Sequence, residues 1–377
     1  MSPIQSSSQR FLALDVFRGL TICFMIIVNT NGNNETFSPL LHANWNGFTP
    51  TDLVFPSFLF AVGNALSFVM PKWNNLPASA VVGKILKRTA IIFLLGFLMY
   101  WFPFVEYDAN NEIIFKPLAQ TRILGVLQRI ALAYGLAALM FYFLKPRLTL
   151  IITCIILVGY WIIMYGFGDA ADPYSIAGNA GTKLDLFLMN PAHHYHGEGF
   201  AFEPEGWLGT LPAIGNVVGG FFAGRLIQQK GKTYETLSKL MLTGFLLIFL
   251  AYAWNLSFPV NKKLWTSSFV LLTVGIDCVL ISAVIYVIDF LKKTWWTYFF
   301  EVFGRNPLII YLISELLAIL LWFFRVDGQT PLYIWVYNTI FSHAGPYLGS
   351  LLFALSFMLI CWLAGWWMDK KKIYIKV

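Results

Sequence analysis

Charge is what this sequence has least of. Only 12% of its 377 residues are Asp, Glu, Lys or Arg, against roughly 25% in an ordinary soluble domain. With 58% of the chain hydrophobic, there are too few charges to cover a water-facing surface. That excludes a soluble enzyme, and a nucleic-acid partner is not expected despite the excess of Lys and Arg. Cysteine is also sparse. Cys23, Cys154, Cys278 and Cys361 all fall within apolar runs, so packed thiols are expected rather than disulfides or a metal site. The sequence has no P-loop, no G-x-S-x-G and no H-E-x-x-H, so the common soluble catalytic motifs are missing. No internal repeat is visible. The first apolar stretch contains Asp15 and Arg18 and lacks an A-x-A cleavage site, so it reads as a retained first helix rather than a removed signal peptide.

What is present is a series of apolar runs of about 20 residues, the length a helix needs to cross a bilayer. The expected fold is an all-α polytopic membrane protein, one transmembrane domain over 1–377 with the lipid bilayer as its surroundings. About ten spans are expected, near 11–30, 50–70, 85–104, 123–143, 148–166, 206–228, 237–255, 265–289, 305–324 and 347–368. The aromatic stretch "WWTYFFEVFG" before the ninth suits the membrane interface. Orientation follows from Lys and Arg. With the N-terminus in the cytoplasm, the outer connections hold only Lys116, Arg122, Lys183, Lys262, Lys263 and Arg325. The inner connections hold roughly three times as many cations, which places both termini in the cytoplasm. The outer face then receives a loop near 30–49 and a large loop near 167–205. The large loop carries Asp169, Asp172, Asp185, His193, His194, His196, Glu198, Glu203 and Glu205.

The stretch "LLHANWNGFTPTDLVFPSFLF" (residues 40–60) introduces the second span with polar chemistry. Part of it is a helix start. Thr49 reads as the N-cap, Pro50 as the first helical residue, and Asp52 as the back-reaching carboxylate of a capping box. His42, Asn44, Trp45 and Asn46 have no such explanation, and a solvated loop is their plain alternative. Ionisable residues at membrane depth are functional candidates by default. Here they are Asp15, Arg18, Arg129, Asp277, Arg305 and Glu315. Asp15 and Arg18, three residues apart, read as a local ion pair. Arg122, Gln128 and Arg129 form a strip suited to an anion or a sugar, or to tying loops together. Asn306-Pro307 marks a helix break, of the kind that lines a cavity. Gly215, Gly219, Gly220 and Gly224 have the small-xxx-small spacing of close helix packing. "HHYH" at 193–196 lacks a carboxylate or thiol at ligand spacing, so no metal is expected.

Four segments, "LDVFRGLTICFMIIVN", "HANWNGFTPTDLVFPSFLFAVGNALSF", "RILGVLQRIALAY" and "EPEGWLGTLPAI", resemble in order the membrane domain of the heparan-α-glucosaminide N-acetyltransferase family. The resemblance runs from about residue 10 to 368. It implies an acetyl-CoA-dependent acyltransferase. Acetyl passes from cytoplasmic acetyl-CoA to the amino group of a glucosamine-type sugar or glycan on the outer side, here the periplasmic face of a bacterial inner membrane. The family's lumenal domain and the helix before it are not expected in this chain, which turns the acceptor away from heparan sulfate. By resemblance His42 is the catalytic histidine and Asn29 its companion. The chemistry agrees: the attacking amine needs a base, and the thioester oxygen needs a donor as negative charge grows on it. Asn44, Trp45, Asn46, Asp52, Arg122, Arg129, His193 and Glu205 are the expected acceptor-binding residues, with Trp45 as a stacking face. Lys87, Arg88, Arg225 and Lys232 are the inner cations expected to hold the phosphates of CoA. Direct transfer is favoured over an acetyl-histidine intermediate, and a homodimer is a further expectation. Two other readings stay open. One is a transporter or flippase of an amino sugar or lipid-linked sugar; the other is an O-acyltransferase of envelope glycans.

Overall fold

The computed structural model describes residues 11–375. Arg10 and Lys376, which contribute to the inner charge, lie outside them. Thirteen helices are present among the described residues, with one small hairpin. In chain order they are α1 (Leu12–Asn29), α2 (Val54–Val69), α3 (Ala78–Trp101), α4 (Val126–Phe143), α5 (Pro146–Phe167), α6 (Ala180–Leu188), α7 (Trp207–Lys230), α8 (Tyr234–Asn255), α9 (Ser267–Ile285), α10 (Thr297–Arg305), α11 (Pro307–Phe323), α12 (Leu332–Val336) and α13 (Pro346–Lys370). The hairpin pairs β1 (Val105–Tyr107) with β2 (Ile113–Phe115) in the connection between α3 and α4.

The fold is mostly helical and membrane-like. Eight helices are long and apolar enough to cross a bilayer, and nine are if α10 and α11 form one broken span. Those two helices meet at 84°, at the Asn306-Pro307 break expected from sequence. The expected third span is the helix α3. It is long enough, but Lys84, Lys87 and Arg88 sit in its first half, so it is less apolar than the others. This is why the count falls short of ten.

Burial separates the helices into a centre and a rim. In α7, 72% of the membrane-length window is buried inside the protein; in α5 and α8 only 28% is. The rim helices point apolar side chains outward. On α8 these are Leu242, Phe245, Leu246 and Phe249, one stripe at helical spacing. A stripe like that is stable against lipid tails and would be costly in water. At the centre, α7 uses its glycines on two faces. A Cβ on Gly220 would overlap the carbonyl oxygen of Phe60, and one on Gly63 would overlap that of Val217. The α2 and α7 backbones are therefore nearly in contact. Gly215 and Gly219 instead receive Val270 and Val274 of α9. The close packing read from the glycine spacing serves two neighbours.

The connections that the charge rule groups together also meet in space. The α1–α2 loop reaches the α8–α9 loop through His42 and Lys262. It reaches the α5–α7 segment through Trp45 and Tyr174, and the α11–α13 segment through Asn33 and Tyr337. The α3–α4 connection joins the same end through Ile123 and His193 and through Asn111 and Gly328. At the opposite end, Lys232 pairs with Asp289 and Asn306 binds the backbone at Ile373.

Candidate active site

His42 sits on the loop between α1 and α2, exposed at the meeting point of those connections. Its Nδ1 is 2.7 Å from Oδ1 of Asp52. Asp52 is 1% exposed. Its second oxygen, Oδ2, accepts the backbone N–H of Ala43 at 3.1 Å and that of Thr49 at 2.9 Å. The capping box expected at Thr49–Asp52 is therefore formed. The same carboxylate also fixes the ring of His42. With Asp52 accepting the proton on Nδ1, Nε2 is the unprotonated nitrogen, as a general base requires.

The α8–α9 loop completes the site. Gly47 N–H donates to the carbonyl of Val260 at 2.8 Å. Asn261 Nδ2 donates to Oδ1 of Asn46 at 3.1 Å, and Lys263 Nζ donates to the carbonyl of Asn44 at 3.1 Å. Lys262 places its Nζ 3.1 Å from both ring nitrogens of His42. The loop itself is rigid, because Asn261 takes the N–H of Leu264 and gives its own N–H to Thr266 Oγ1. Burial pulls the Lys262 ammonium down to about 8, while Asp52 and Glu205 act against that fall. Sequence reasoning counted Lys262 only as an outer charge. The signal was there: a Lys-Lys pair on the side of the membrane where this chain otherwise avoids cations.

Beside this lies a carboxylate cluster. Arg122 lies between the rings of Tyr100 and Tyr195, 5.0 Å from each centroid, and binds both Glu203 and Glu205. Burial and the charge of Glu205 push Glu203 up from its ordinary range. Burial also works against ionisation of Glu205, but Arg122, Arg129 and Lys262 outweigh it and hold that carboxyl low. Lys262 thus feels the charges of both Asp52 and Glu205. Asp185 of α6 is buried against the start of α7, accepts the N–H of Trp207 at 2.9 Å and is raised to about 6, chiefly by burial.

The remaining expected residues are distributed as follows. Asn29 ends α1 and donates from Nδ2 to Oε1 of Glu315 at 3.4 Å, a long bond for an amide donor. Trp45 is half-buried, its indole N–H bonded to the carbonyl of Tyr174 and its ring 5.8 Å from that of Phe202. Asn44 and Asn46 are exposed. Arg129 is 1% exposed, stacked 4.9 Å over the ring of Trp265, and bonded to the carbonyl of Gly206. His193 binds the carbonyl of Thr121 at 2.7 Å and joins the large loop to the base of α4. Among the described residues, no group of three His, Cys, Asp or Glu could hold a metal ion.

At the opposite end is a cavity of about 620 Å³ lined by Arg18, Lys72, Arg88 and Arg305, with Asp15 and Tyr134. The Nε atoms of Arg18, Arg88 and Arg305 are buried there without a hydrogen-bond partner. Of the four cations expected to hold phosphate, only Arg88 lines this cavity. Lys87 is exposed on α3, Arg225 does not line the cavity, and Lys232 is held by Asp289 at 2.6 Å.

The polytopic helical protein thus carries a carboxylate-oriented histidine at one end and a cationic cavity at the other. The chain belongs to the family described as heparan-alpha-glucosaminide N-acetyltransferase, catalytic, which matches residues 10–253. It is 28% identical over 369 residues to heparan-alpha-glucosaminide N-acetyltransferase of Mus musculus, covering 83% of this chain and 54% of that protein. The Homo sapiens enzyme is 28% identical over 362 residues, covering 81% and 53%. The chain thus spans about half the length of the relatives it matches.

Proposed function

We propose that this chain is an N-acetyltransferase that carries acetyl across a bacterial inner membrane, from cytoplasmic acetyl-CoA to the amino group of a glucosamine-type sugar in the periplasm. The observation that carries the reading is the His42–Asp52 pair at 2.7 Å, on the loop whose sequence matches the family.

The donor supplies an acetyl group activated as a thioester. The cationic cavity is suited to its phosphates, because Arg18, Lys72, Arg88 and Arg305 line it and guanidinium binds phosphate well. Asp15 and Arg18 line that cavity at the start of α1, and Asn29 is at the helix's other end. Fourteen residues of helix separate Asp15 from Asn29, about 21 Å, so the donor's arm would run along α1. At the His42 end, Asp52 holds the imidazole so that Nε2 takes the proton of the attacking ammonium. Asn29 offers its amide N–H to the thioester oxygen as charge develops, in exchange for its long bond to Glu315. Glu205 offers an acceptor for a sugar hydroxyl.

The deciding experiment gives the purified chain radiolabelled acetyl-CoA with a panel of amino sugars. N-acetylated sugar should form with the native protein and not with His42→Ala. A second reading, a transporter, draws on the 84° break between α10 and α11. Binding or uptake of amino sugars without any acetylated product would favour it.

A further inference from the structure

Lys262 puts a primary ammonium where the reaction needs one. Its Nζ is 3.1 Å from each ring nitrogen of His42. Equidistant from the two nitrogens, Nζ lies over the face of the imidazole, where a turn of the lysine side chain brings it to Nε2, because Nδ1 is already engaged by Asp52. The sugar's amino group must approach the same nitrogen. The rigid α8–α9 loop fixes the Lys262 backbone, so the arrangement belongs to the resting site. The neighbouring Lys263 provides the contrast: its Nζ is held by Glu198 at 2.7 Å and by the carbonyl of Asn44, turned away from His42.

We infer that Lys262 is an internal acetyl acceptor: when no sugar is present, the enzyme transfers acetyl to Nζ of Lys262 and closes its own outer site. The inference rests on the acetyltransferase reading above. Nε2 of His42 takes one proton from the ammonium and releases it to the outer solvent. The free amine attacks the thioester carbonyl carbon. A C–N bond forms, the C–S bond breaks, and the amine's second proton leaves with the sulfur as CoA thiol. The product is a neutral amide, which the site cannot pass on to a sugar amine because an amide is far less reactive than a thioester. Acetylation also removes a cation on which the charges of Asp52 and Glu205 act. Because burial holds this ammonium near 8, a usable fraction is the free amine at neutral pH, more than for an exposed lysine.

The test uses the full chain in detergent or nanodiscs with acetyl-CoA carrying a heavy-isotope acetyl group and no sugar, followed by peptide mass spectrometry. Heavy acetyl should appear on Lys262, with little on Lys263, Lys116 or Lys183. It should be absent in His42→Ala and suppressed when an acceptor sugar is added. The fraction of Lys262 modified should equal the fraction of activity lost after pre-incubation, and Lys262→Arg should show no such loss relative to its own starting rate. Sugar turnover with Lys262 unlabelled overturns the inference and leaves the enzyme reading intact. Equal labelling of all outer lysines, or labelling that survives in His42→Ala, also overturns it, since the transfer is then uncatalysed. Failure to acetylate either sugar or Lys262 removes both.

Discussion

Asp52 binds His42 through one carboxylate oxygen, at 2.7 Å, while its other oxygen caps the turn that begins the second span. The helix start and the orientation of the base are therefore one structure. Asp52→Asn should cut turnover by roughly 10²–10⁴-fold, the usual worth of a positioned base, with acetyl-CoA affinity unchanged. Asp52→Ala should also lower stability by about 0.5–2 kcal/mol, as lost caps do. Turnover and thermal unfolding measured on the same preparations check both, and a fall in stability alone would show that the pair is only a cap.

His42→Ala should cost roughly 10²–10⁴-fold in turnover while the donor still binds, because the cationic cavity lies at the other end of α1. His194→Ala is the control. That ring is 3% exposed and bound to the carbonyl of Asn190, so its loss should act on folding more than on rate. Normal turnover in His42→Ala would remove the histidine from the chemistry.

Donor binding should depend on the cavity, not on inner charge in general. Arg88→Gln and Lys72→Gln should each weaken acetyl-CoA binding by about 1.5–3 kcal/mol, the worth of a hydrogen bond to a charged group. Lys87→Gln should leave it unchanged. Isothermal titration distinguishes these, and equal losses in all three would point to a diffuse field.

Asp185 gives a pH signature. Its carboxyl is raised to about 6 in the folded chain, above an unfolded value near 3.9. The folded state therefore binds more protons between those values, and the slope of stability against pH is negative there. Its contribution is complete below about pH 4 and lost as pH rises through about 6. Asp185→Asn should flatten that part of the thermal-unfolding profile, and an unaltered profile would rule out the assignment.

Sidedness can be read chemically. In a chain freed of its native cysteines, Asn34→Cys should react with an impermeant thiol reagent in intact cells, and Lys230→Cys should react only after lysis. The reverse pattern would place His42 in the cytoplasm.

The spans were legible in the sequence because apolar length and Pro, Gly and capping signals are local. Thr49, Pro50 and Asp52 declare a helix start within four residues, and Asn306-Pro307 declares a break. The site was legible only in part. His42 stood out because a family motif surrounds it. Arg18, Arg88, Arg305 and Glu315 stood out singly, but Lys262, Lys72 and the grouping of Arg18, Lys72, Arg88 and Arg305 did not, because that depends on which helices become neighbours. Arg18 shows the limit well. Its ion pair with Asp15 follows from their spacing, yet the cavity both residues line is formed with α2, α3, α4, α10 and α11, which no spacing rule reveals.

The clamp between the α1–α2 and α8–α9 loops also sets an order of events during biosynthesis. His42 and Lys262 are 220 residues apart in the chain. At roughly 5–20 residues per second, the ribosome needs about 10–40 s to pass from one to the other. Throughout that interval the histidine has its Asp52 partner but no lysine beside it and no loop to hold Asn44, Asn46 and Gly47 in place. The site around His42 is thus begun by the first half of the chain and finished by the second.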